Sequence, residues 1–257
     1  MTSALFSLQD RVAMVTGGNR GLGRAIALGF QQAGARVVVT GRDPARNAAV
    51  GHELGDPDAV VALDVRDEEA VAATVALIVE RFGRLDILVN NAGVSQGASV
   101  LAMSRADWDA VMETNLTSMF LCAKHAGAAM VAGGAGGKII NVGSIYSLLG
   151  TPSFAAYGAS KAGVLGLTRA LAIELAMHGI QANALLPGWC ETDMTQGMPA
   201  SELGEEIRRR TPAGRWGQPD DMVGAAVFLA SAASNFVTGV HLLVDGGYAV
   251  TERFVRS

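Results

Sequence analysis

Thr16-Gly17-Gly18-Asn19-Arg20-Gly21-Leu22-Gly23 follows directly on the apolar run Val12-Ala13-Met14-Val15 and leads into Arg24-Ala25-Ile26-Ala27. The order is strand, glycine-rich turn, helix. Gly17 permits a tight turn, Gly21 lets backbone approach a bound group, and Gly23 allows the helix to pack close to the strand. N–H groups at a helix start lack partners inside the helix, so such a turn suits an anion such as a pyrophosphate. The spacing differs from G-x-G-x-x-G, and a lone glycine cluster also fits a tight connection without a ligand.

Outward from this turn, apolar runs alternate with helical patterns to the end of the chain. Strands are expected over residues 11–16, 36–40, 59–63, 85–89, 138–142, 180–186 and 240–244. Helices are expected over 21–33, 43–54, 67–82, 154–177 and 219–230, with one or two more within 105–131. Asp67 and Glu68 put negative charge in a first turn, Gly179 closes the long helix, and Pro219 suits a helix start. Strands alternating with helices of this length imply right-handed βαβ units. The expected fold class is α/β: a single doubly wound domain over residues 1–257, with a seven-stranded, mostly parallel sheet and helices on both faces. Residues 189–215, rich in Gly, Met and Thr, follow a strand end and are the expected substrate lid.

Half of the 257 residues are hydrophobic, enough for one large core. The formal net charge is −4 and no basic cluster appears, which excludes nucleic acid as an expected partner. Cys122 and Cys190 are far apart and read as reduced thiols. The four histidines are scattered, and no metal-ligand spacing appears, so no metal is expected. Residues 1–12 show no signal-peptide pattern, and no apolar stretch is long enough to span a bilayer. A soluble cytoplasmic protein without membrane contact is the expectation.

Further motifs follow in order. Asn90-Asn91-Ala92-Gly93 follows the fourth strand, Asn115 sits in Thr114-Asn115-Leu116, and Ser144 follows the fifth strand. Tyr157-Gly158-Ala159-Ser160-Lys161 and then Pro187-Gly188 with Thr192 come next. With Thr16, Gly17, Gly21 and Gly23, this series resembles the short-chain dehydrogenase/reductase family across nearly the whole chain. The resemblance implies a Rossmann-type fold, a nicotinamide cofactor and the catalytic set Asn115, Ser144, Tyr157 and Lys161. It also implies cofactor contacts from Gly17, Asn19, Arg20, Gly21, Leu22 and Gly23. Further contacts fall to Asp64 and Val65, to Asn91, Ala92 and Gly93, to Tyr157 and Lys161, and to Pro187, Gly188 and Thr192.

The chemistry fits hydride transfer between a secondary alcohol and a ketone. A ketone that takes a hydride must also gain a proton on oxygen, and the reverse reaction needs a base. A free tyrosine, with a pKa of about 10, is a poor base near neutrality. A neighbouring ammonium favours the phenolate. Positions i and i+4 share a helix face, so Tyr157 and Lys161 can meet. Ser144 can donate to the substrate oxygen, a contact worth roughly 3 kcal/mol. The resemblance gives Lys161 a second task, holding the cofactor ribose, and gives Asn115 the positioning of a water that links Lys161 to solvent. A cofactor-binding sensor without turnover is the alternative from another class; it has no need of all four residues.

NADP(H) is expected over NAD(H). Gly41 stands where NAD-preferring relatives carry an acid, and Arg42 and Arg20 supply guanidinium groups for a 2′-phosphate. Asp43 is the acid that keeps NAD(H) open. The segment Arg210-Thr211-Pro212-Ala213-Gly214-Arg215-Trp216-Gly217 looks like the gluconate 5-dehydrogenase and deoxygluconate dehydrogenase branch. That branch implies a sugar or sugar-acid substrate, and an anionic substrate needs a nearby cation. Val94-Ser95-Gln96-Gly97 provides none. A 3-oxoacyl-thioester reductase is the other branch in view. Trp189, Met194 and Met198 read as an apolar lid surface. Family members are mostly homotetramers paired through the helices at 105–131 and 154–177.

Overall fold

A computed structural model of the chain describes residues 2–251, so residues 1 and 252–257 of the expected domain lie outside the described residues. The strands are β1 (Val12–Thr16), β2 (Arg36–Gly41), β3 (Val60–Ala62), β4 (Ile87–Asn90), β5 (Gly137–Val142), β6 (Ile180–Pro187) and β7 (His241–Val244). They form one seven-stranded sheet in the order β3-β2-β1-β4-β5-β6-β7. Every neighbouring pair is parallel. The strand order reverses between β1 and β4, and a crevice opens beyond the strand ends at such a point.

The helices are α1 (Thr2–Leu5), α2 (Gly21–Gln32), α3 (Pro44–Glu53), α4 (Glu68–Phe82), α5 (Arg105–Met112), α6 (Ser118–Gly133), α7 (Ala155–Leu175), α8 (Glu202–Arg210) and α9 (Val223–Ala230). Successive strand side chains point to opposite faces, and both faces are covered. Ala13, Val15, Val37 and Val39 pack with Ile26 and Phe30 of α2 and Leu229 of α9. Met14, Val38 and Leu88 pack on the other face with Val75 and Ile78 of α4 and Ala126 and Met130 of α6. This two-sided burial is why the strands read as unbroken apolar runs.

Three segments show detail beyond the expected pattern. Residues 105–131 hold two α-helices, α5 and α6, joined by a π-helical turn over Glu113–Thr117. Residues 219–230 begin as a 3-10 turn, Pro219–Met222, before α9. The irregular stretch 189–215 contains α8. Ser201 caps it by accepting from Gly204 N at 3.1 Å, with Glu202 and Glu205 in its first turn and Arg208, Arg209 and Arg210 in its last. Gly204 and Ile207 are its buried residues, too few to give an apolar stripe. Among the described residues no helix is long and apolar enough to cross a membrane.

Candidate active site

A cleft of about 1080 Å³ opens at the switch point and runs from the glycine turn, past Ser144, Tyr157 and Lys161, to α8 and Tyr248. Gly17 has φ +61°, and a Cβ there would lie 3.0 Å from Ala92 Cα. Gly21, at φ +50°, sits under Thr192, whose methyl group is 3.6 Å from an added Cβ. Arg20 precedes α2 in extended conformation, and no side chain caps the helix. Its first turn therefore keeps its N–H groups for the cleft, which Gly21 and Leu22 line. A positive-φ glycine, an uncapped helix start and nearby guanidinium groups fit a dinucleotide pyrophosphate.

Gly23 does something other than seat the helix on a strand. A Cβ on it would fall 2.3 Å from Asn91 Nδ2 and 2.6 Å from Gly17 O. Asn91 Nδ2 donates to Thr16 O at 2.9 Å and Gly17 O at 3.1 Å, while Thr16 Oγ1 accepts from Asn91 N at 3.0 Å and Ala92 N at 3.1 Å. The Asn91-Ala92-Gly93 segment is thereby tied to the glycine turn.

Asn115 is fully buried in the π-turn. Its Oδ1 accepts from Val94 N at 2.8 Å, and its Nδ2 donates to Val94 O at 2.9 Å and Ser160 Oγ at 3.2 Å. It thus fixes the backbone after Gly93 and the residue before Lys161. Lys161 is buried and donates to Val142 O at 2.8 Å. Burial pulls its pKa down to about 8. Ser144 begins a 3-10 turn and its Oγ accepts from Tyr146 N at 3.1 Å.

Tyr157 and Lys161 do come together on one face of α7, with Lys161 Nζ 5.7 Å from the Tyr157 ring centre. The expected lowering of the phenol pKa is not what the protein alone produces. Burial pushes Tyr157 up, and Tyr146 adds to the rise, against a hydrogen bond with Ser144. Desolvation sets the direction, and the Lys161 ammonium is turned to a β5 carbonyl, Val142 O.

Beyond β2, Arg42 lies 3.7 Å from Asp64, and Arg66 holds the same carboxylate at 2.6 Å. The Arg66 hydrogen bonds bring Asp64 down to about 2, despite its partial burial. Asp43 caps α3, accepting from Ala45 N at 3.0 Å and Arg46 N at 3.1 Å. Arg46 is a cleft residue that the sequence reading missed. It meets Asp193 at 2.6 Å, and Arg20 is 3.8 Å from the same carboxylate. At the other end of the cleft, Trp189 packs edge-on to Tyr146 (5.9 Å) and to Trp216 (5.4 Å). Val65, Pro187 and Gly188 also line the cleft, and Gly188 packs where a Cβ would meet Asp245 at 2.6 Å. Among the predicted residues, Gly23 and Asn115 act from behind the wall. Arg210 and Glu206 of α8 line the far end and were likewise missed.

An all-parallel sheet with a glycine turn at its switch point defines the Rossmann-type α/β class. A family model described as enoyl-(acyl carrier protein) reductase matches residues 17–249. The chain is 43% identical to gluconate 5-dehydrogenase of Gluconobacter oxydans, over 96% of this chain and 98% of that one. It is 42% identical to 2-dehydro-3-deoxy-D-gluconate 5-dehydrogenase of Escherichia coli, over 96% and 99% of the two chains. A solved structure of gluconate 5-dehydrogenase from Burkholderia cenocepacia, in complex with NADP and tartrate, superposes with a TM-score of 0.93. It shares 39% identity and is covered over 100% of its length and 98% of this chain. The chain belongs to the short-chain dehydrogenase/reductase family and is an oxidoreductase acting on CH–OH groups. The likeness to the gluconate and deoxygluconate branch is borne out.

Proposed function

We propose that this chain interconverts a secondary alcohol and a ketone with NADP(H) in preference to NAD(H), with Tyr157 as acid/base and a sugar acid of the gluconate kind as substrate. One observation carries the reading: Ser144, Tyr157 and Lys161 share a single cleft with the uncapped start of α2. The nicotinamide, when bound, supplies or accepts the hydride. In reduction, the Tyr157 hydroxyl gives its proton to the oxygen of the carbon that gained the hydride, leaving the phenolate to be reprotonated. In oxidation, the phenolate takes the alcohol proton. Ser144 donates to the same oxygen, where charge develops. Lys161 supplies the positive charge that, together with the oxidised cofactor, offsets the burial of the phenol, and it holds the ribose. Asn115 braces the backbone beside Lys161 and orders the water that links it to solvent.

The NADP(H) preference is supported by Arg20, Arg42 and Arg46 around one end of the cleft, and by the Burkholderia relative's complex with NADP. The relatives' names support the sugar-acid reading. We read residues 1–257 as one domain in which 189–215 is the lid. We read the protein as a cytoplasmic homotetramer; exposed Phe120 on α6 and Ile173 on α7 support the pairing of those helices between subunits.

The test follows nicotinamide absorbance with NADPH and NADH over sugar acids, sugars, cyclic ketones and acyl thioesters, for wild type and Tyr157→Phe. Turnover of a sugar acid or its oxo form with NADP(H), lost in Tyr157→Phe, is the expected result. Equal rates for the two proteins would sink the role of Tyr157. Tight NADPH binding with no turnover would favour the sensor.

A further inference from the structure

Among the described residues, five cationic side chains line the cleft. Arg20, Arg42 and Arg46 stand at the cofactor end beside Asp193 and Asp64. Lys161 is buried in the floor and turned to Val142 O. Arg210 is the fifth. It ends α8, at the mouth of the half walled by Tyr146, Trp189 and Tyr248.

Its two neighbours are used differently. Arg208 and Arg209 turn to Glu205 on the outside of α8. The Arg210 guanidinium carbon instead lies 4.4 Å over the Tyr248 ring. Stacking on an aromatic face fixes the plane of a guanidinium and leaves its N–H edge for hydrogen bonds. Arg210 also exerts a small lowering effect on the Tyr146 phenol, which lines the same cleft. Tyr146 in turn packs edge-on to Tyr157, ring centres 6.2 Å apart. Arg210, Tyr248, Tyr146 and Tyr157 thus line one cleft.

We propose that Arg210 anchors the substrate carboxylate and so selects hydroxy acids and oxo acids whose carboxylate lies several bonds from the reacting carbon. This rests on the sugar-acid reading above. It supplies the cation that Val94-Ser95-Gln96-Gly97 lacks, from the lid and not from the loop after β4. Arg and carboxylate match as two parallel forks, which a neutral polyol cannot reproduce. Glu206, one turn earlier, lines the same end of the cleft.

The test is calorimetric binding of D-gluconate, and of the neutral polyol D-glucitol, to the full-length protein saturated with NADP⁺. Wild type, Arg210→Gln and Arg210→Lys are compared, with melting temperature and NADP⁺ affinity as controls for folding. Arg210→Gln is expected to weaken gluconate about 10- to 100-fold, leaving glucitol and NADP⁺ unchanged. Arg210→Lys is expected to recover part of the loss. Equal gluconate affinity in wild type and Arg210→Gln would overturn the anchor while leaving the sugar-acid reading intact. Absence of gluconate binding to wild type would overturn both. Arg210-dependent binding without turnover would support the anchor and remove gluconate as substrate. Should Arg210→Gln melt lower than wild type, Arg210→Lys against glucitol still decides the case. A loss confined to the anion supports the anchor, and an equal loss for both ligands overturns it.

Discussion

Asn19 Nδ2 donates to Asn47 Oδ1 at 2.7 Å, through the space that a side chain on residue 41 would fill. Asn47 Nδ2 in turn donates to Gly41 O at 2.9 Å. The glycine turn, the end of β2 and the first turn of α3 are thus one hydrogen-bonded unit. Gly41→Asp, the obvious change toward NAD(H), puts a Cβ 2.2 Å from Asn19 Nδ2. The Asn19 side chain can swing away, so the fold survives but the turn loses its brace. The expected result is a fall in kcat/KM with NADPH of about tenfold or more, without a matching gain with NADH. Steady-state kinetics with both cofactors check it. A clean switch to NADH would show that the brace is dispensable.

Arg46 enters the cleft only because α3 starts beside the glycine turn. Its guanidinium is shared between Asp193 at 2.6 Å and Asp43 at 3.5 Å. On the proposed NADP(H) reading, a 2′-phosphate would compete with Asp193 for Arg46. Arg46→Ala is expected to raise KM for NADPH about tenfold and to change KM for NADH little. Asp193→Asn is expected to lower KM for NADPH, because a competing carboxylate is gone. Identical shifts with both cofactors would place Arg46 in lid fixation and not in phosphate binding.

What the sequence made legible was whatever local spacing controls. The i,i+4 pair of Tyr157 and Lys161, the turn from Gly17 to Gly23, and the strand runs all depend on neighbours within a few residues. Two-sided burial of β1, seen in Met14 facing one layer and Val15 the other, made the parallel sheet readable. Asn115 was readable as a motif but not as a geometry, since a π-turn has no spacing signal of its own. Arg46 and Arg210 were invisible for a different reason. Each is an ordinary surface arginine until β-strand order and α8 carry it to the cleft. The Ser201 cap and the acidic-to-basic run of residues 202–210 were the signal that could have found α8.

Lys161 couples activity to pH in a definite direction. Its ordinary pKa of 10.5 is pulled down to about 8 by burial. On the proposed mechanism, ketone reduction needs the ammonium and a protonated phenol, and burial favours the protonated phenol. The kcat/KM for reduction is therefore expected to hold below about pH 8 and to fall above it as Lys161 loses its proton. A flat profile through that region would contradict the role of the charge. Because the folded pKa lies below the unfolded one, burying this lysine costs stability at neutral pH, and the cost fades as pH rises from the folded value of about 8 and is gone above the ordinary value of 10.5. Lys161→Met is accordingly expected to abolish turnover with a melting temperature no lower than wild type.

Asp86 offers the opposite case, a buried charge that holds the frame around the site. Its carboxylate accepts from Val12 N at 2.9 Å and Arg11 at 3.0 Å, and Arg84 Nε reaches it at 2.8 Å. It thereby joins the start of β1 to the start of β4, the two strands that flank the switch point. Burial raises its pKa, but Arg84, the Val12 N–H and Arg11 outweigh that, and the net effect is a lowered value. A carboxylate lowered in the folded state stabilises it above the unfolded pKa, and that contribution is lost as pH falls through the folded value. Asp86→Asn is expected to cost about 2 kcal/mol at pH 7, a figure reduced from the fully buried case because both arginines are partly in water. Denaturant midpoints for the two proteins should converge as pH drops below the ordinary carboxylate range. A gap that stays constant with pH would assign the loss to packing and not to charge.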